Sequence, residues 1–338
     1  MARAGGLPRP ALPAKGVAMG GVTRRTTLGL GLGAGLLAAG CASGDRFVIG
    51  FQKNGVLLAA KHRGDIEAAL NAVPDVRLDW AEFASGPPLL EALGAGAVHL
   101  GQTGDLPTIF AQAGGGDLLY VAAVPLAGQS AAIVVPGASP VRAVSQLRGK
   151  RVAFTRGSSA QPLVQNALAR AGMTMADIEA VDLAPPDAAA AFASNRVDAW
   201  AIWDPYYAQV EVRGGARALT TAQGVSRSSG FVLANRQFTN ARPDVIRATL
   251  DAMRATADWA KTDRRELGRI FAVETGQDPA VQARVAERQD LELVPMSDAA
   301  IRQHQALADQ MLKDGVIPRK VDVASAAWRG WTPRAAAA

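Results

Sequence analysis

The sequence predicts an α/β protein built on two mostly parallel sheets, each flanked by helices. Short β-type runs alternate with helical stretches from residue 46 to residue 228, the pattern of βαβ units. The alternation falls into two blocks, 46–128 and 135–228, and a tail that reads as helix alone follows. Apolar residues make up 49% and charged residues 20% of the 338, enough to fill the cores of two ordinary domains.

In chain order, a first strand is expected over 46–51, with a polar turn at 52–55 and one helix over 56–71. A second strand over 76–83 places Val76, Leu78 and Trp80 on one face. Ser85 or Gly86 caps the next helix, with Pro87 and Pro88 in its first turn. The third strand, 98–101, ends in Gly101, and Asp105 and Pro107 open the helix after it. Strands at 118–124 and 131–135 lead through a proline turn and Leu147-Arg148-Gly149-Lys150 into a strand at 151–154. The helix at 161–171 stops at Gly172. A strand at 181–183, a helix at 185–194, a strand at 197–203 and a helix opened by Asp204 and Pro205 complete the second block. The chain returns through a Ser-rich loop and a strand within 225–234. Helices at 243–261, 264–275, 279–291 and 297–312 form the tail, and no repeat of about 20–50 residues is visible. The first domain is expected to comprise 45–128 plus 231–325, and the second 129–230.

The net charge of +6 belongs to the N-terminus. Residues 1–41 hold Arg3, Arg9, Lys15, Arg24 and Arg25 and no acid; without them, 31 basic residues face 30 acidic ones. The body therefore carries no bulk electrostatic case for nucleic acid or an anionic membrane. Arg24 and Arg25, followed by an apolar Gly-rich run of 12 residues (28–39), have the two-part form of an export signal. The run is shorter than the roughly 20 residues that span a bilayer. It resembles a twin-arginine signal, with Thr27 where that pattern has Phe. Ala38-Ala39-Gly40-Cys41 resembles a bacterial lipobox, with Ala38 in the usual Leu position; a simple cut near Ala42 is the alternative. Met19 is an alternative start that would bring the arginine pair near the N-terminus. The expectation is an export leader over 1–41, a periplasmic protein, and a lipid on Cys41. Cys41 is the single cysteine, so a mature chain has no disulfide and no thiol nucleophile.

Two strand-to-helix turns carry the functional signal. In Gly101-Gln102-Thr103-Gly104-Asp105, a hydroxyl and the first N–H groups of a helix face the same space. Those N–H groups lack intrahelical partners, and a helix N-terminus carries partial positive charge, so the turn suits an anion. Most such turns in α/β proteins bind nothing, and Thr103 and Ser158 would then simply cap helices. Thr155-Arg156-Gly157-Ser158-Ser159 is the second turn, in the other block. Ligands of open α/β sheets bind beyond the carboxyl ends of the strands, so two facing blocks would make a cleft lined from both sides.

Phe51-Gln52-Lys53, the run from Glu82 to Pro87, the run from Gln102 to Pro107 and Leu147-Arg148-Gly149-Lys150 occur in that order. Arg156-Gly157-Ser158, Asp198-Ala199-Trp200 and Trp203-Asp204-Pro205 follow. Taken in order over about residues 45–320, these motifs resemble the aliphatic-sulfonate-binding proteins of ABC importers, close to the taurine and nitrate binders. The resemblance implies a two-lobed periplasmic-binding-protein fold of type II whose cleft closes on the ligand. It implies a monomer that delivers a small anionic substrate, an alkanesulfonate, to an ABC permease with its ATPase, for sulfur acquisition. By position, it implies that Gln52 reaches the head group and that Thr103 and Gly104 donate, with Asp105 anchoring their turn. Gly157, Ser158 and Ser159 would donate from the second lobe, and Trp203 and Asp204 would border the cleft. Ser159-Ala160-Gln161-Pro162 departs from the polar residue and His or Tyr that the family often has after Gly157, so taurine, nitrate or an aromatic acid are alternative ligands.

Enzyme chemistry has little support. His62, His99 and His304 are scattered, with His62 and His304 expected at helix surfaces, and none has Cys or carboxylate partners at metal-ligand spacing. No Gly-x-Ser-x-Gly elbow or P-loop occurs, and neither a cofactor nor a metal is expected. A desulfinase shares the fold the resemblance implies, but it uses a cysteine nucleophile that this chain lacks beyond residue 41. A sensory or interaction module without a transport role is a further class, which neighbouring permease and ATPase genes would argue against.

Overall fold

The β-type runs pair through the helices between them, so that the polar turns after the strands collect along one edge of each sheet. The computed structural model describes residues 45–225 and 229–333. The expected leader, with Arg24, Arg25 and Cys41, lies outside the described residues. Strands β1 (Asp45–Phe51), β2 (Val76–Glu82), β3 (Leu100–Thr103) and β4 (Leu118–Pro125) form the first sheet with helices α1 (Gly55–Arg63), α2 (Asp65–Leu70), α3 (Gly86–Gly94) and α4 (Asp105–Ala113) between them. The second sheet holds β5 (Ala131–Pro136), β6 (Arg151–Phe154), β7 (Glu179–Asp182), β8 (Ala199–Trp203) and β9 (Ala216–Thr221), with α5 (Ala160–Arg170), α6 (Pro185–Ala193) and α7 (Tyr206–Val212). The chain then returns to the first sheet as β10 (Ser229–Asn235).

The two sheets share one plan. Their orders are β2-β1-β3-β10-β4 and β7-β6-β8-β5-β9. In each, one strand runs against the rest: β10 pairs antiparallel with β3 and β4, and β5 with β8 and β9. The chain passes between sheets twice, after β4 and after β9. The result is the two-lobed type II architecture, each lobe a mostly parallel sheet covered by helices.

The tail belongs to the first lobe. It consists of α8 (Arg236–Ala241), α9 (Pro243–Thr262), α10 (Arg264–Thr275), α11 (Pro279–Arg288) and α12 (Asp298–Lys313). On one face of the first sheet, Phe47 and Ile49 pack with Leu58 of α1, Ile246 of α9, Phe271 of α10 and Val285 of α11. On the other face, Leu106 and Ile109 of α4 pack with Phe231 of β10 and with Ile301 and Met311 of α12.

The structure corrects four expectations. The single helix over 56–71 is two helices, because Gly64 takes the left-handed conformation (φ 70°) that ends α1, and α2 starts at the next residue. The third strand begins two residues late, because the N–H groups of Ala97 and Val98 still donate to the Ala92 carbonyl at the end of α3. Strand β9 and helix α8 were not expected; both are short, with six residues each. His304 is not at a helix surface but 3% exposed, between α12 and the first sheet.

Candidate ligand-binding site

The carboxyl ends of β1, β3, β6 and β8 point their turns at one cavity of about 150 Å³. Gln52, Asn54, Gln102, Thr103 and Gly104 line it from the first lobe, and Ser158, Ser159, Trp203 and Asp204 from the second. Ser130 and Gly128 come from the first crossover, and Gln289 from just beyond α11. Leu57, Leu126, Leu163 and Pro107 supply apolar surface. Among the described lining residues there is no lysine, arginine or histidine, and the one charged group, Asp204, is already paired.

Four helices begin at this cavity: α1, α3, α4 and α5. Their N-cap residues are Asn54, Ser85, Gly104 and Ser159, and none makes a side-chain capping bond. Of the two candidates for the start of α3, Ser85 holds the N-cap position, without a side-chain bond. In the tail, Asn235, Asp263, Asp278 and Ser297 do cap α8, α10, α11 and α12 with their side chains. At the cavity the Leu106 N–H of α4 is taken by Asp105 Oδ1 and the Ala160 N–H of α5 donates to Ser158 Oγ at 3.3 Å, and α9 of the tail also lacks a side-chain cap. What favours negative charge in the cavity is therefore the convergence of four helix N-termini, each with partial positive charge.

The expected contact residues divide into those that face the cavity and those whose polar groups are taken. Thr103 is 7% exposed and borders the cavity beside Gly86 and Pro107. Gly104 lies so close to the second lobe that a Cβ there would strike the Ser159 hydroxyl, which explains the glycine. Ser159 and Trp203 line the cavity. Gln52 also lines it, while its Nε2 donates to the Gln102 carbonyl (3.2 Å) and ties the first turn to the third.

Asp105 works behind the wall. It is 2% exposed, and its Oδ1 accepts from the Leu106 N–H at 2.7 Å, which agrees with an anchoring role for its carboxylate. Gly157 does not line this cavity, and its N–H donates to Gln161 Oε1 at 2.9 Å, so the donor expected from it is already engaged. Ser158 lines the cavity, but its hydroxyl and N–H both donate to the Thr155 carbonyl, at 2.6 and 3.2 Å. Asp204 is 1% exposed, and its carboxylate accepts from Arg288 Nε and Nη2 at 2.7 and 2.8 Å and from the Ala208 N–H at 2.9 Å. Burial pushes the Asp204 carboxyl up, while the guanidinium and the Ala208 N–H pull the other way. Its side chain is therefore a structural group in the wall, not a free hydrogen-bonding partner for a ligand.

Sequence reading missed Asn54, Ser130, Arg288 and Gln289. Asn54 has a signal, since it stands in the polar turn that contains Gln52. The Oε1 of Gln289 is buried without a hydrogen-bond partner among the described residues. Nothing local marks Arg288 or Gln289, which lie at the end of a tail helix far along the chain.

Fold and cavity together define a two-lobed binding protein, with a cleft of neutral donors closed between its lobes. The chain belongs to the NMT1/THI5-like family, whose model matches residues 78–266. It is similar to the alkanesulfonate-binding protein SsuA of Xanthomonas axonopodis pv. citri, solved with bound MOPS, at 38% identity and a TM-score of 0.79. That match covers 84% of this chain and 98% of the other. A relative of Escherichia coli strain K12 named as an aliphatic sulfonates-binding protein is 34% identical over 284 residues, 83% of this chain and 88% of its own. The desulfurization enzyme DSZB shares the fold, with a TM-score of 0.61 at 16% identity over 84% of this chain and 96% of its own.

Proposed function

We propose that this chain is the substrate-binding component of an ABC importer and that its cleft captures an aliphatic sulfonate. The observation that carries this is a cavity between the lobes with no cation among its described lining residues, walled by hydroxyls, amides and four converging helix N-termini. A sulfonate stays ionised and presents three weak acceptor oxygens. Neutral donors suit it, because an empty site then buries no unpaired charge. Hydrogen bonds to a charged group contribute roughly 1.5–3 kcal/mol each. Three or four of them support micromolar binding, about −8 kcal/mol, after association costs. The apolar side of the cavity would take the carbon tail. The names of the relatives point the same way. Catalysis has no support in the wall, where the hydroxyls of Thr103, Ser130, Ser158 and Ser159 have no histidine beside them.

Isothermal titration with ethanesulfonate, longer alkanesulfonates, taurine, sulfate and nitrate tests the reading. An alkanesulfonate binds tightest, and its affinity changes little between pH 5 and 8 (about the range in which neither the ligand nor the unpaired lining groups titrate). Tight binding of nitrate with no heat from any sulfonate would overturn the assignment.

The remaining parts of the reading follow from the sequence. The lobes divide as 45–128 plus 231–325 and 129–230, and the protein acts as a monomer that hands its ligand to a membrane permease driven by an ATPase. Residues 1–41 direct export to the periplasm, and Cys41 carries a lipid. Replacing Cys41→Ala then moves the protein from the membrane fraction to the soluble periplasmic fraction; an unchanged distribution removes the lipid anchor.

A further inference from the structure

Asp204 is held from the first lobe at two points. Its carbonyl accepts from Asn54 Nδ2 at 2.5 Å, and Asn54 stands at the first turn of the first lobe. Its carboxylate is held by Arg288, at the end of α11, and α11 packs into the same core as β1 of the first lobe. Asp204 itself ends the β8 turn of the second lobe, and its N–H donates to the Ser130 carbonyl at 2.9 Å. The tie is built in depth. Arg288 is 7% exposed, its Nη1 donates to Glu211 Oε2 of α7 at 2.9 Å, and its guanidinium stacks over the Tyr207 ring at 3.9 Å. Arg284, one turn earlier on α11, reaches the same Glu211 at 3.2 Å.

None of these contacts needs a ligand. A bidentate guanidinium–carboxylate pair fixes orientation as well as distance, and buried from water it is little screened. We infer that Arg288 is a positioning residue that joins the lobes through Asp204 and raises the closed fraction of the unliganded protein, a minority that a ligand then makes dominant. Apparent affinity scales with the fraction of protein in the binding-competent form, so loosening the tie weakens binding without removing a ligand contact.

The inference rests on this cleft being the ligand site, and the test keeps the two apart. Wild-type titration with ethanesulfonate examines the site. Small-angle scattering of the unliganded protein examines the tie alone. Arg288→Met leaves Asp204 buried and unpaired and endangers folding, so the informative variant is Asp204→Asn with Arg288→Met, which removes both charges together. In the double variant, the unliganded radius of gyration exceeds that of the wild type, and ethanesulfonate binds about tenfold more weakly or worse, while circular dichroism stays native. Arg288→Lys, which keeps the charge and loses the fork, falls between the two. A double variant with wild-type compactness and wild-type affinity would overturn the inference and leave Arg288 as no more than the neutraliser of a buried acid.

Discussion

Thr103 ends β3 with its side chain at the cavity wall, beside the first turn of α4. Valine has nearly its shape and no donor, so Thr103→Val removes one hydrogen bond to a bound anion and little packing. Titration with ethanesulfonate is expected to show about a tenfold loss of affinity, roughly 1.4 kcal/mol; an unchanged affinity takes Thr103 out of the contact set. At this scale the sequence shows which turns matter better than which atoms do. Thr103, Gly104, Ser159 and Trp203 reach the cavity because a hydroxyl, glycine or aromatic at the end of a strand is legible as such. Gly157 misleads because its N–H is taken by Gln161, four residues on, whereas Asp204 borders the cavity but has its carboxylate held by Arg288, 84 residues away. The first of those bonds is local and open to a closer reading; the second depends on tertiary packing.

Helix α4 shows how an element aims a site. Its first turn faces the cavity, and behind that turn Thr108 Oγ1 donates to the Asp105 carbonyl at 2.6 Å. That hydroxyl lies 2.8 Å from His304 Nε2 of α12, so it accepts from an Nε2–H and assigns the proton to that nitrogen. Tyr120 of β4 stands 3.2 Å from the same nitrogen, so both neighbours are uncharged hydroxyls. Burial pushes the imidazole down from 6.5 to about 3. Above pH 6.5 both folded and unfolded chains carry it neutral, and no stability is lost. As pH falls from 6.5 toward 3, the unfolded chain takes up a proton that the folded chain refuses, and stability falls by about 1.4 kcal/mol per pH unit from this group. Urea midpoints between pH 7 and 4.5 are expected to fall more steeply for the wild type than for His304→Gln, by close to one proton. Parallel slopes would mean that His304 protonates in the folded protein. The burial had a sequence signal, since Ile301, His304, Ala308 and Met311 form one helical stripe, which the polar neighbours Arg302, Gln303 and Gln305 obscured. Gly64 was also legible: Gly followed by Asp is a helix stop and a helix start in two residues.

The two lobes touch where their turns meet, and those contacts make closure a property of the whole molecule. Gly104 of the first lobe abuts Ser159 of the second, and Phe110 of α4 lies against Gly157. The alternation of strands and helices reveals two sheets, and the return of β10 to the first, in line with a first domain of 45–128 plus 231–325, creates two crossovers and hence a hinge. A ligand held from both sides favours the closed form by its differential affinity for that form. Saturating ethanesulfonate is therefore expected to reduce the radius of gyration of the wild-type protein. Gly104→Ala separates closure from the rest of binding. Its added methyl meets the Ser159 side chain only when the lobes are together, so folding is little affected, and the urea midpoint without ligand stays near that of the wild type. With ligand, the contraction is lost and affinity falls by about tenfold or more, because most of the protein is held out of the closed state. Contraction of Gly104→Ala to the wild-type radius at wild-type affinity would show that the turns have room to part, and that the contact at Ser159 does not set the closed geometry.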